Sequence, residues 1–143
     1  VTLLLIHAAA TLYMTGLIWF VQLVHYPLMA KVGTEGCRDY QLAHERLTTR
    51  AVGPSMLVEL ACALWLVISP PSGVTSGLAY TGLALVAVLW LSTAFLQVPC
   101  HRELESGFDM TAHHKLVLTN WLRTAAWSLR GILALWMIHA ATQ

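Results

Sequence analysis

His7-Ala-Ala-Ala-Thr-Leu-Tyr-Met-Thr-Gly-Leu-Ile-Trp-Phe-Val-Gln-Leu-Val-His25-Tyr-Pro27 is the stretch on which the fold turns. A bilayer crossing needs about 20 apolar residues, and this segment meets that need while carrying a histidine near each end. At roughly 100° per residue, the eighteen-residue step from His7 to His25 makes five full turns, which places both rings on one line of a helix. Thr11, Met14 and Gln22 fall close to that line. A polar group left in hydrocarbon is costly, so such a stripe must face protein or water. The stretch predicts a helix that turns a polar face into a bundle.

Working outward, hydrophobic residues make up 57% of the 143 and charged residues only 10%, with a mean hydropathy of +0.65. Soluble domains are about a quarter charged, so the composition is that of a membrane protein. Apolar stretches at 1–26, 51–69, 76–98 and 116–140 predict four membrane-spanning helices. With their polar extensions these helices cover about 1–30, 38–69, 76–99 and 112–140, in one all-α membrane domain of residues 1–143. The opening stretch lacks the basic leader and small-residue cleavage site of a signal peptide and is read as a span. Pro54 is expected to kink the second helix.

Every charged residue except Glu59 and Arg130 lies between Lys31 and Arg50 or between Arg102 and Arg123. The positive-inside rule then places these two connections in the cytoplasm and both termini outside, in the inner membrane if the chain is bacterial. A net charge of +1 without a basic run excludes a nucleic-acid partner. Cys37, Cys62 and Cys100 show no C-x-x-C spacing and imply no disulfide framework. No P-loop, dinucleotide fingerprint, H-E-x-x-H or nucleophile elbow is present.

The two halves echo one another. Gln22-Leu-Val-His25-Tyr-Pro resembles Gln97-Val-Pro-Cys-His101, Ala43-His44 resembles Ala112-His113, and Ala-Leu-Trp recurs at 63–65 and 134–136. The pattern is that of two pseudo-repeated helical hairpins related by an axis along the membrane normal.

This topology puts His25, His44, His101 and His113 at one depth, each on a polar stripe of its helix. Facing helices of a bundle build metal and cofactor sites from such side chains, and imidazole suits Fe, Cu, Zn and haem iron. The four are therefore candidate metal ligands, with His25 and His101 also candidates for a haem and Glu45 or Glu103 able to add a carboxylate. The competing reading is that interfacial histidines are merely solvated. His114 lies off the stripe and His139 on the opposite face of the last helix, and both are read as surface residues. Glu59 and Arg130 are the two charges inside the predicted spans, roughly 13 and 10 Å deep by helical rise. They are expected to meet, either as an ion pair tying helix two to helix four or as catalytic residues handling a proton or a substrate carboxylate.

The first half also resembles a known family. The early His7, the Tyr26-Pro27 end of the first helix, and Glu45-Arg-Leu-x-x-Arg50-x-x-x-Pro54-x-Met56 in the second are similar to the small four-helix bacterial membrane protoporphyrinogen oxidases, over residues 3–68. The resemblance implies a haem b bound by His7, family positions at Arg50 and Pro54, and electron transfer from a porphyrinogen towards the respiratory chain. The chain departs from the family in helix three, where Thr81-Gly82 stands in place of an early lysine.

Together these features predict a membrane oxidoreductase that holds haem b or a transition metal at the cytoplasmic end of its bundle, with a quinone or porphyrin-like small molecule as partner. His7 and His25 would lie about 27 Å apart, a spacing suited to two cofactors and electron transfer across the membrane. A small transporter or channel gated by Glu59 and Arg130, and a non-catalytic subunit of a homo-oligomer or larger membrane complex, are the alternatives.

Overall fold

The computed structural model describes residues 1–143 and is all-helical. Four long helices run up and down: α1 (Thr2–Met29), α2 (Cys37–Ile68), α3 (Ser76–Glu105) and α4 (Met110–Ala141). Short turns join them, and Gly33, Gly73 and Gly107 take the positive φ that the turns require. A side chain at Gly73 would collide with the Ala140 carbonyl, which fixes the α2–α3 turn against the end of α4. Thr75 caps α3 by accepting from the Leu78 amide at 3.4 Å, and Asp109 caps α4 by accepting from the Ala112 amide at 2.7 Å.

Three of the helices, α1 to α3, are long and apolar enough to cross a membrane. The fourth matches them in length, but Lys115, Arg123, Arg130 and His139 lower its apolarity, so three of the four expected spans are long and apolar enough to cross. Polarity is inverted across the molecule. Leu5, Phe20, Leu57, Trp65, Phe95 and Ile132 are exposed, while His7, Gln22, Glu59, Asn120, Arg123 and Arg130 are buried. An apolar surface of that extent marks a membrane or partner interface, and the buried polar groups all face the bundle axis.

The helix lengths follow expectation except in α3, which runs through Pro99 to Glu105 instead of stopping there. Its continuity has a physical cause shared with α1. Each of these helices widens into a five-residue π-turn, Val21–His25 and Thr93–Gln97, ending just before Tyr26-Pro27 and Val98-Pro99. A proline ring clashes with the carbonyl four residues back and supplies no N–H, and the wider turn accommodates both defects without breaking the helix. Pro54 likewise sits inside an unbroken α2, where the Tyr13 hydroxyl donates to the Ala51 carbonyl at 3.3 Å.

The core forms three layers. Leu4, Leu66, Ala79 and Met137 fill the end near the termini; Met14, Ile18, Met56, Leu89 and Trp127 fill the middle; Tyr26, Met29, Cys100, Leu104 and Leu116 fill the end near the charged loops. Polar side chains occupy the two gaps between these layers.

Candidate functional site

In the gap nearer the termini, all four helices meet at Arg130. Its Nε donates to Glu59 Oε1 at 3.1 Å, Nη1 to the Gly82 carbonyl at 2.6 Å, and Nη2 to His7 Nε2 at 3.1 Å and Thr11 Oγ1 at 3.5 Å. The Trp127 indole N–H donates to the other carboxylate oxygen of Glu59 at 3.0 Å. Arg130 is 1% exposed and Glu59 2%. Charges this deep are tolerated when geometry and hydrogen bonds are complete, and here each charged atom has a partner. The expected meeting of Glu59 and Arg130 is thus observed, though neither lines the cavity described below. His7 belongs to this network. A guanidinium only donates, so His7 Nε2 accepts and the ring hydrogen sits on Nδ1, which is buried without a partner.

In the other gap, three of the four clustered histidines come together. His25 Nε2 and His44 Nδ1 are 3.0 Å apart with their rings stacked at 4.6 Å, and the His101 ring lies 5.1 Å from that of His44. The Tyr40 ring stacks beside both His25 and His44 at 6.2 Å. His101 is held on both nitrogens, by the Tyr26 hydroxyl and the Gln41 side-chain oxygen, each at 3.4 Å. His44 Nδ1 also contacts Thr48 Oγ1 at 3.1 Å, and its Nε2 has no protein partner. Where Thr48 donates to Nδ1, the hydrogen of the neutral ring is on Nε2.

His113 is the exception. Its Nε2 donates to the Tyr26 carbonyl at 2.8 Å, and Phe108 packs on the ring at 5.5 Å. Tyr26 lies in the last turn of α1, where carbonyls lose their helical partners, so this imidazole caps a helix end. This bond leaves only Nδ1 with a free lone pair, and the ring packs on Phe108 rather than on the other histidines, so the structure brings together three of the four expected ligands. No group of three or more His, Cys, Asp or Glu side chains is arranged to hold a metal ion. The geometry also corrects the straight-line phase of α1. The π-turn takes more residues per revolution, so the buried line runs through His7, Thr11, Met14, Ile18 and Gln22 to Tyr26, and His25 swings towards α2.

A cavity of about 170 Å³ opens beside the histidines. Met14, Leu17, Ile18, Val21, Val52, Met56 and Val98 supply its apolar lining; His44, Thr48, Gln97, His101, Tyr26 and Arg123 supply polar groups, together with Glu45, Thr49 and Thr93. Both π-turns contribute, through Val21 from one and Thr93 and Gln97 from the other. Two glutamines anchor this region to α4. Gln22 accepts from Asn120 at 2.8 Å and donates to the Val117 carbonyl at 3.3 Å, while Gln97 accepts from Ser92 at 3.0 Å and donates to Thr119 at 3.1 Å.

Sequence reasoning gave neither Arg123 nor Gln41 a role. The spacing of Arg123, Trp127 and Arg130 along one helix face is the signal that links the cavity to the ion pair.

Compared with known proteins, the chain matches no family model, no curated protein and no solved structure. The likeness to protoporphyrinogen oxidases over residues 3–68 therefore rests on the quoted residues alone.

Proposed function

We propose that the chain is an integral membrane protein of four spans, with its charged loops in the cytoplasm, that binds a small amphiphilic molecule in the cavity beside His44 and His101. The carrying observation is the composition of that cavity, whose lining combines aliphatic and methionine side chains with imidazoles, a phenol, an amide and a guanidinium. Ligand sites are mostly apolar pockets with a few convergent polar groups, and π-turns concentrate at functional sites. The unpartnered Nε2 of His44 gives a bound head group a proton donor or acceptor, backed by His25, and this suits a redox-active partner of the quinone class. Haem b fits less well, because a cavity of about 170 Å³ is below the roughly 300–1,000 Å³ of sites that enclose a whole drug-sized ligand and has room for a head group but not for a macrocycle.

A second reading keeps the redox chemistry on a transition metal. It is favoured by the 3.0 Å separation of His25 Nε2 and His44 Nδ1, which two nitrogens each about 2.0–2.1 Å from one ion can adopt. Absorption spectra and metal analysis of the purified protein separate the two readings. Under the ligand reading the protein is colourless and metal-free, and a short-chain quinone binds saturably and loses affinity in His44→Ala. Stoichiometric metal lost in the same variant transfers the function to the metal. Topology is tested by Ser72→Cys, labelled from outside the cell by an impermeant maleimide, and Glu35→Cys, labelled only after permeabilisation.

A further inference from the structure

Arg123 and Arg130 differ in one respect that bears on what the cavity holds. The Arg130–Glu59 pair is the one ion pair of the structure, and no carboxylate lies within reach of Arg123. Arg123 is nevertheless only 8% exposed, with its Nε shut off from solvent and without a hydrogen-bond partner. Its guanidinium carbon lies 5.3 Å from the centre of the Trp127 ring, so the flat group rests on an aromatic face. Its polar neighbour is the Tyr26 phenol, not a carboxylate. Glu45, the single carboxylate on the cavity wall, stands by Arg102 and Glu105.

A buried guanidinium without a counter-charge is costly, and arginine is never relieved by losing its proton in a protein. The fork geometry matches carboxylate and phosphate oxygens, and such charge-assisted bonds are the strong ones. We propose that Arg123 is an oxyanion-binding residue, and that the cavity takes an amphiphile whose head is a carboxylate or phosphate and whose chain lies along Met14, Ile18 and Val52. This inference rests on the cavity being a ligand site, and it replaces the neutral quinone head by an anionic one. His101 and His44 line the same cavity as Arg123, and His44 Nε2 is available to donate a second hydrogen bond to the anion.

The test uses the full chain in nanodiscs of phosphatidylcholine, titrated calorimetrically with dodecanoate, dodecyl phosphate, dodecanol, acetate and inorganic phosphate. Saturable binding of one chain-bearing anion per protein, at least tenfold tighter than dodecanol, is expected. Arg123→Met should lower that affinity at least tenfold, and Arg123→Lys, which keeps the charge without the fork, should recover part of it. Acetate or inorganic phosphate binding as tightly as its dodecyl counterpart identifies a soluble anion as the source and removes the amphiphile from the proposal while retaining Arg123. Equal binding of dodecanol and dodecanoate, or an Arg123→Met variant that binds the anion like the native chain, overturns the oxyanion role and leaves the cavity standing as a ligand site. Absence of binding by every probe removes both. If Arg123→Met does not fold, the preference of the native chain for anion over alcohol decides alone.

Discussion

Arg123 and Arg130 share a face of α4, with Trp127 between them, and their surroundings are opposites. Arg130 is enclosed by Glu59, His7, Thr11 and the Gly82 carbonyl, one group or more from each of the other helices. Arg123 opens on a cavity and has no counter-charge. The same residue type, two turns apart, serves in one place to join four helices and in the other to leave a charge unanswered. Completed networks hold a bundle together, and incomplete ones point to what is missing from it.

The largest expected effect comes from opening the closed network. Glu59→Gln leaves Arg130 buried and uncompensated, a change that costs on the order of 3–5 kcal/mol and should lower the melting temperature of the detergent-purified protein steeply. The double variant Glu59→Leu with Arg130→Met removes both charges and should recover much of that loss. A single variant no less stable than the double would show that the pair contributes nothing, and the contrast between the two arginines would lose its first term.

Trp127 connects the two regions, and Trp127→Phe separates its functions. The phenyl ring keeps a face for Arg123 but removes the N–H that serves Glu59, which should cost about 1–3 kcal/mol for the unsatisfied carboxylate oxygen. Stability measured by chemical denaturation should fall while anion binding at Arg123 persists. Joint loss of both would mean that the network and the cavity form one cooperative unit.

How far the sequence reveals these regions depends on whether they obey helical phase. Glu59 and Arg130 were legible because two charges in apolar segments have few places to go, and their depths matched by simple helical rise. The convergence of His25, His44 and His101 was legible from topology, since each stands near the same end of its helix. Three features escaped. The π-turns at Val21–His25 and Thr93–Gln97 shift the phase of everything beyond them, which put Tyr26 where His25 was expected. The capping role of His113 depends on where α1 ends and which carbonyl is left free, and residue type does not reveal that. The polarity of Arg123 was visible, but its lack of a partner is a three-dimensional fact.

A smaller effect distinguishes capping from ligation at His113. His113→Ala should cost about 1 kcal/mol through the lost hydrogen bond to the Tyr26 carbonyl, with ligand and metal binding at the remaining histidines unchanged. Loss of binding greater than the loss of stability explains would return this ring to the site.

The smallest expected effect on stability is the most informative. Arg123→Met replaces a buried, unpaired guanidinium by an apolar side chain of comparable reach, beside the apolar Ala126 and the Trp127 ring. Replacing buried charge by well-packed hydrophobic groups is often neutral or stabilising, so in the absence of ligand the variant should melt at or above the temperature of the native chain. Arg130→Met, seven residues along the same helix, leaves Glu59 unpaired and should behave in the opposite way. Adding the chain-bearing anion should raise the melting temperature of the native protein and leave that of Arg123→Met where it was, because only a ligand that binds the folded state stabilises it. Equal destabilisation by the two methionine variants would show that Arg123 holds the fold together as Arg130 does, and the charge facing the cavity would then need no partner from outside.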